Sequence, residues 1–426
     1  MPYASFNKAV NKPTTKPDKA LKRFSKWVAS HKWHLKISVL SLCAIFSGGA
    51  LALWWLWDVP LTSPMSSLSS FRFLRHSELP HSRDKVVYGF LPYWNLNTVV
   101  LQPELSHLAY FALAINPDGQ LRLREDGSTE PGYAKLNSDT LLDIINLAGE
   151  QDTQFELVLS QFYADDIAQF LGSEKAQLNL FETLDNILLA YPVSGINIDV
   201  ELNGTPSEKQ RDQFTKFIKD LRSHLDAHYG SISLSVDVYA SASNNKQLWD
   251  IPALADHIDY FVVMAYDFHR RSSPQAGPVA PLFGGDKLWD GDINEHLRTF
   301  LSYVPSSKLL LGIPFYGYEW QTTSRDAQSH AFPDTGNTAS IERVKELLAR
   351  KEELRVMEHW NEDALSPYIS YIEDGETFVV YYENSRSISY KLDYVNQLDL
   401  AGVAIWALGY EGSDRELWDI IQRKLD

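Results

Sequence analysis

The chain has 426 residues and one cysteine, Cys43, so no disulfide can form within it and everything after Cys43 must rely on a packed core. Basic charge is scarce over most of the length. Residues 1–36 hold nine Lys/Arg against the single acid Asp18, a net charge of +8, so residues 37–426 carry −24 within a total of −16. An acidic body of that size argues against nucleic acid as a partner. The histidines have no metal-ligand spacing: His31 and His34 lie in the basic N-terminal segment, and His107 and His269 read as core or rim residues. No metal or cofactor is indicated. A glycine-rich phosphate loop after the first predicted strand is also lacking, which weakens the case for a doubly wound open sheet. Aromatic residues, in contrast, are plentiful, with twelve Trp. Aromatics beyond the needs of packing suggest surfaces that stack on flat or ring-shaped ligands.

Charge is also missing from residues 37–57. That run of 21 residues is long enough to cross a bilayer as a helix, and Trp54, Trp55 and Trp57 sit where an aromatic belt belongs. The basic flank predicts residues 1–36 as a cytoplasmic tail, 37–57 as an uncleaved membrane anchor and everything beyond Asp58 as extracytoplasmic, periplasmic or extracellular. Ala50-Leu51-Ala52 leaves a signal-peptidase site open, although the apolar run continues past it. Leu40-Ser41-Leu42-Cys43 resembles a lipoprotein box, with a Leu too large before the cysteine. Residues 58–83, rich in Ser and Pro, read as a tether.

From residue 84 to the end, short apolar strands alternate with helical patterns. Strands are predicted at 86–91, 106–115, 155–161, 195–201, 231–239, 259–266, 308–316 and 402–407, and helices at 138–149, 176–190, 207–227, 291–303 and 387–397. Eight strand–helix alternations describe an α/β fold, a closed (β/α)8 TIM barrel. The interval before the last strand is too long for one helix. Residues 320–385 hold a helix (340–353) and two strand-like runs (368–373 and 377–382), which predicts a small inserted α+β lobe. The charged residues Lys345-Glu346 and Arg350-Lys351-Glu352-Glu353 read as a solvated helix face.

Gly195-Ile196-Asn197-Ile198-Asp199-Val200-Glu201 alternates strictly, so Asn197, Asp199 and Glu201 share one strand face and the branched apolar residues the other. Buried acids are costly unless they hydrogen-bond one another or a ligand. Leu202-Asn203-Gly204 then signals a loop, and Thr205-Pro206-Ser207-Glu208 reads as a capping box with Pro at the first helical position. The acids therefore stand at the carboxyl end of a strand, where α/β folds place chemistry.

This stretch resembles the active-site strand of glycoside hydrolase family 18, the chitinase-like barrels, whose pattern is Asp-Gly-x-Asp-x-Asp-x-Glu. Met264-Ala265-Tyr266-Asp267 is similar to the sixth-strand motif of that family, Gly312-Ile313-Pro314-Phe315-Tyr316-Gly317 to its seventh-strand segment, Gly402-Val403-Ala404-Ile405-Trp406 to its eighth, and Gly89-Phe90-Leu91-Pro92-Tyr93-Trp94 to its first. Ala364-Leu365-Ser366-Pro367-Tyr368 and Ala401 to Gly409 are similar to the branch that includes spore-cortex and cell-wall glucosaminidases.

The resemblance implies a substrate-assisted retaining glycosidase, in which the 2-acetamido oxygen of the sugar attacks the anomeric carbon. It implies Glu201 as the acid that protonates the leaving oxygen, Asp199 as the carboxylate that raises its pKa and holds the acetamido N–H, and Tyr266 as donor to the acetamido carbonyl. By the same resemblance Asn197, Met264, Asp267, Tyr316, Trp406, Phe90 and Trp94 bind the sugar, with Trp406 under its ring. The partner is an N-acetylglucosamine-containing polysaccharide or oligosaccharide, with β-1,4 linkages of chitin type or of peptidoglycan. Two positions depart from the pattern: Ser194 and Asn197 stand where the family carries acids. Leu159-Ser160-Gln161-Phe162 also lacks the Ser-x-Gly-Gly of many chitinases. A catalytically silent sugar-binding barrel is the alternative, and the presence of Glu201 discriminates against it.

Overall fold

A computed structural model of the protein describes residues 85–122, 130–285, 287–413 and 415–425, with Lys26. The first seven barrel strands in chain order are β1 (Val86–Pro92), β2 (His107–Ala114), β3 (Gln154–Gln161), β4 (Gly195–Val200), β5 (Ser233–Tyr239), β6 (Tyr260–Met264) and β7 (Leu309–Pro314). An insertion follows, with β8 (Tyr316–Thr322), β9 (Asn337–Ser340), β10 (Met357–Asn361), β11 (Ser366–Glu373) and β12 (Glu376–Tyr381), before the eighth barrel strand β13 (Gly402–Trp406). The eight form one closed barrel, sealed where β1 pairs in parallel with both β2 and β13, Val86 opposite Gly402. The chain is therefore a (β/α)8 barrel. Among the described residues no helix is long and apolar enough to cross a membrane, and the segment expected to do so, 37–57, lies outside them.

Alternation along the strands sorts the core into two parts. Leu108, Leu157, Ile196, Ile198, Val236, Phe261, Leu311 and Ile405 belong to the outer layer, packed with helix residues such as Phe214, Phe217 and Leu221 of Glu208–His228. Tyr88, Phe90, Ala109, Val158, Val262, Leu310 and Ala404 fill the lumen. None of this luminal filling comes from β4 or β5. There the inward residues are Asn197, Asp199, Ser235 and Asp237, all buried, beside Glu156 of β3. Tyr88 and Ser233 donate their hydroxyls to the Glu156 carboxylate at 2.7 and 2.6 Å. Gly195 is required at this point, because a Cβ there would stand 2.1 Å from Ser233 Oγ and 2.4 Å from Glu156 Cδ.

Two local expectations differ from the structure. The helix after β4 is capped by Ser207, whose Oγ accepts from Gln210 N at 3.2 Å while Gln210 Oε1 accepts from Ser207 N at 2.9 Å. Pro206 therefore lies outside the helix; Ser207, in extended conformation, presents its hydroxyl to the free N–H groups better than Thr205 can from two residues further away. The seventh barrel strand stops at Pro314, and Phe315 N donates to Trp406 O at 2.8 Å. Tyr316 thus opens the inserted sheet instead of ending the barrel strand.

That sheet is antiparallel, in the order β10-β11-β12-β8-β9, and carries the helix Ile341–Ala349. One core, with Val344, Leu347, Ile369, Tyr371 and Val380, lies between sheet and helix. A second cluster, with Tyr316, Tyr318, Trp320, Val379 and Tyr381, is partnered by Tyr266, Trp406 and Tyr410 of the barrel.

Candidate active site

Period-two patterning makes β4 a strand whose Ile196, Ile198 and Val200 are taken by the outer core, which leaves Asn197 and Asp199 no direction but inward. The strand ends at Val200, and Glu201 N donates to Gln161 O at 3.0 Å, setting Glu201 at the carboxyl end of the barrel. A cavity of 480 Å3 opens there, and Asp199, Glu201, Met264, Tyr266, Asp267, Tyr316, Trp406 and Trp94 all line it. Eight of the ten residues expected at the site are therefore brought together by strands far apart in sequence.

The other two stand below it. Asn197 is fully buried in the layer beneath, its Nδ2 donating to Asp237 Oδ1 at 2.7 Å and Ser235 Oγ at 2.9 Å. Phe90 is fully buried and supports Trp406 from behind, their ring centroids 5.7 Å apart. Neither lines the cavity, because both are luminal residues set deeper in the barrel than the strand ends. Phe111 braces the same indole edge-on at 4.7 Å, and Trp94 meets Phe111 at 6.0 Å, so the cavity has an aromatic wall with Trp406 at its centre.

Burial pushes the Asp199 carboxyl well above the ordinary Asp range, and the charges of Glu201 and Asp237 push it further. Burial also raises Glu201, helped by Asp267; a hydrogen bond from the Tyr239 hydroxyl and the nearby Arg270 guanidinium oppose the rise. Both shifts run toward the protonated form, the direction a general acid requires. Burial and the surrounding acids likewise hold the Tyr266 hydroxyl in its protonated form, where it can donate. Asp267 has a left-handed backbone, φ 61°, a conformation Asp tolerates better than most residues, and its Oδ1 accepts from Tyr316 Oη at 2.5 Å and Tyr318 Oη at 2.9 Å. Among the described residues no group of three His, Cys, Asp or Glu is placed to hold a metal ion.

Nine cavity residues escape sequence reading, among them Phe111, Asp237, Tyr239, Arg270 and Tyr318. Asp237 carries a signal, since Ser233-Leu234-Ser235-Val236-Asp237 repeats the polar alternation of β4. Tyr318 continues the alternation from Tyr316. Phe111, Tyr239 and Arg270 carry none, and only the fold brings them to the cavity.

The glycosyl hydrolases family 18 model matches residues 83–411. A cortical fragment-lytic enzyme of Bacillus anthracis is 24% identical over 325 residues, 73% of this chain and 66% of that protein. The chain thus spans just under two thirds of the length of such relatives. Among solved structures, a group IV chitinase of Ostrinia furnacalis aligns with a TM-score of 0.68 at 20% identity, covering 80% of this chain and 98% of that one. The spore cortex-lytic enzyme SleL of Bacillus megaterium aligns with a TM-score of 0.63 at 21% identity, covering 82% and 76%. With the acid pair at the end of β4, the tyrosine and aspartate after β6 and the tryptophan ending β13 all on one cavity, and a family model spanning more than three quarters of its length, the chain belongs to the glycosyl hydrolases of family 18.

Proposed function

We propose that the chain is a retaining glycosidase that cleaves β-1,4 linkages of N-acetylglucosamine-containing glycans, chitin-type oligomers or peptidoglycan strands. The observation that carries this reading is the acid pair, Asp199 buried and Glu201 half-buried, that shares one cavity with Tyr266 and Trp406. Glu201, kept protonated by burial, gives its proton to the leaving oxygen. The acetamido oxygen of the substrate closes on the anomeric carbon while Asp199 takes the acetamido N–H and Tyr266 donates to the carbonyl. Water then opens the intermediate with Glu201 as base, which returns the anomeric configuration. Trp406 supplies a ring face for the apolar side of the sugar. Residues 37–57 tether the barrel to the membrane with residues 1–36 inside and the catalytic domain outside, as their uncharged run and basic flank support.

The test is incubation of the protein with chitin oligosaccharides and, separately, purified peptidoglycan, with Glu201→Gln as control and products read by mass spectrometry. Cleavage lost by roughly 10²–10⁴-fold in the variant supports the reading and shows which glycan is cut. Equal cleavage by the variant removes Glu201 from its role, and binding without cleavage by the wild type points to the silent sugar-binding barrel. Cell fractionation with protease protection of the barrel tests the tether.

A further inference from the structure

Three carboxyls, not two, reach the catalytic cavity from β4 and β5: Asp199, Glu201 and Asp237. Asp237 is buried in the lumen two residues beyond Ser235, which is the register partner of Asn197. Position 197 is where the family pattern carries an acid and this chain carries an amide. Both hydrogens of that amide are committed, one to Ser235 Oγ and one to Asp237 Oδ1. The carbonyl Oδ1 of Asn197 must then turn the other way. It is buried and accepts no hydrogen bond from any described residue, and the same is true of Asp199 Oδ1, two residues on along that strand face. Two acceptors on one strand face thus lack a donor, and a proton on Asp199 is a donor of the right kind.

We propose that Asp237 is a positioning residue for the reaction: it carries on β5 the acid that is missing at 197, and through the Asn197 amide it fixes the side chain against which Asp199 keeps its proton. This rests on the glycosidase reading above.

The surroundings agree. Facing Asp237 are Tyr88 from β1, Glu156 from β3, Asp199 from β4, Glu201 just beyond it, and Tyr266 from beyond β6; none of them is a cation. Burial, and then the charges of Glu201 and Glu156, raise the Asp237 carboxyl, opposed by the Asn197 amide. The Asp237 carboxyl in turn increases the proton affinity of Asp199, whose titration is linked to that of Glu201. The amide at 197 cannot take or give a proton, so this chain separates two tasks that one acid at 197 would combine. Asn197 orients, and Asp237 supplies the charge.

The test compares wild type, Asp237→Asn and the exchange Asn197→Asp/Asp237→Asn, all as full-length chains with melting curves to confirm folding. Asn at 237 keeps an oxygen for the Asn197 amide, so it removes charge and leaves the hydrogen bond. Two readouts are taken: the pH profile of kcat/KM on a chitin oligosaccharide, and the titration of Asp and Glu side-chain carboxyls by 13C NMR. The expected result for Asp237→Asn is an alkaline limb displaced to lower pH by roughly one unit, with the exchange variant returning it towards the wild-type position. An unmoved limb overturns the proposal. So does a loss of rate that is equal at all pH values and is not restored by the exchange, which marks a merely structural residue. Should the wild type cleave no N-acetylglucosamine glycan, the glycosidase reading fails by itself, and the NMR titration decides this one: unchanged Asp199 and Glu201 titrations in Asp237→Asn overturn it, and displaced ones uphold it.

Discussion

Tyr318 on β8 donates its hydroxyl to Asp267 Oδ1 at 2.9 Å, so a residue of the inserted sheet holds a residue that follows the sixth barrel strand. Tyr316 donates to the same oxygen. The insertion is thereby part of the cavity wall. Tyr318→Phe should lower kcat/KM by about tenfold, in line with losing one hydrogen bond to a buried-site carboxyl, while Tyr316 keeps Asp267 in place. Removing both hydroxyls should cost more than the sum of the single changes, since Asp267 then loses its last donor. Steady-state kinetics of the two single variants and the double variant measure this.

Burial raises Glu201 and Asp199 above the ordinary carboxylate range, which fixes the sign of the pH response. The acid stays protonated at pH values where a solvated Glu, at about 4.3, has ionised. The alkaline limb of kcat/KM should therefore lie above that value, and Glu201→Gln should abolish the limb together with the activity. A kcat/KM profile from pH 4 to 9 reports it.

The same shifts act on stability. Glu156, Asp199, Glu201 and Asp237 all hold protons more tightly folded than unfolded, chiefly because they are buried. Their contribution is complete below the unfolded pKa, about 4, and is lost as pH rises through the higher folded values. The denaturant midpoint should fall from mildly acid to mildly alkaline pH. Glu156→Gln, which deletes one such group and keeps acceptors near Tyr88 and Ser233, should flatten that slope. A slope identical to wild type in this variant would falsify the assignment.

Gly402 closes the barrel opposite Val86, and a Cβ there would lie 1.9 Å from Val86 O. The nearest atoms are all Val86 backbone, which leaves no flexible side chain to yield. Gly402→Ala should destabilise by about 3 kcal/mol or more and lower soluble yield, in keeping with overpacking of a rigid core. Urea unfolding of the purified variant tests it.

Trp406 is held by Phe111 and Phe90 and presents its remaining face to the cavity. Trp406→Ala should weaken oligosaccharide binding to a Glu201→Gln background by roughly tenfold or more, while Trp406→Phe keeps part of the ring face and of the affinity. Calorimetric titration with a chitin oligosaccharide separates the two.

The barrel strands were legible because a parallel strand covered by helices must be apolar outward, and Ile196-x-Ile198-x-Val200 writes this directly. The site was legible where an acid or aromatic stands at a strand end, as Glu201, Tyr266 and Trp406 do. Depth was not legible. Asn197 and Glu201 alternate in one pattern, yet Asn197 is sealed beneath the cavity while Glu201 lines it, because the strand ends between them. Asp237 reads as a polar strand residue until β5 is known to lie beside β4. Of the insertion, the runs in β11 and β12 were visible, whereas β9 and β10 are short and polar and exist through pairing with neighbouring strands, and β8 straddles the boundary between the predicted seventh strand and the lobe.

The apolar filling of the lumen comes from six strands and skips β4 and β5. Tolerance to substitution should therefore differ around the ring. Opposite the acids, at Leu310 or Val262, any hydrophobe of similar volume can serve. On β4 and β5 size is not enough: a replacement must also present donors and acceptors in the right directions, so these two strands are free to change only in matched pairs, as an acid lost at 197 and one present at 237 illustrate.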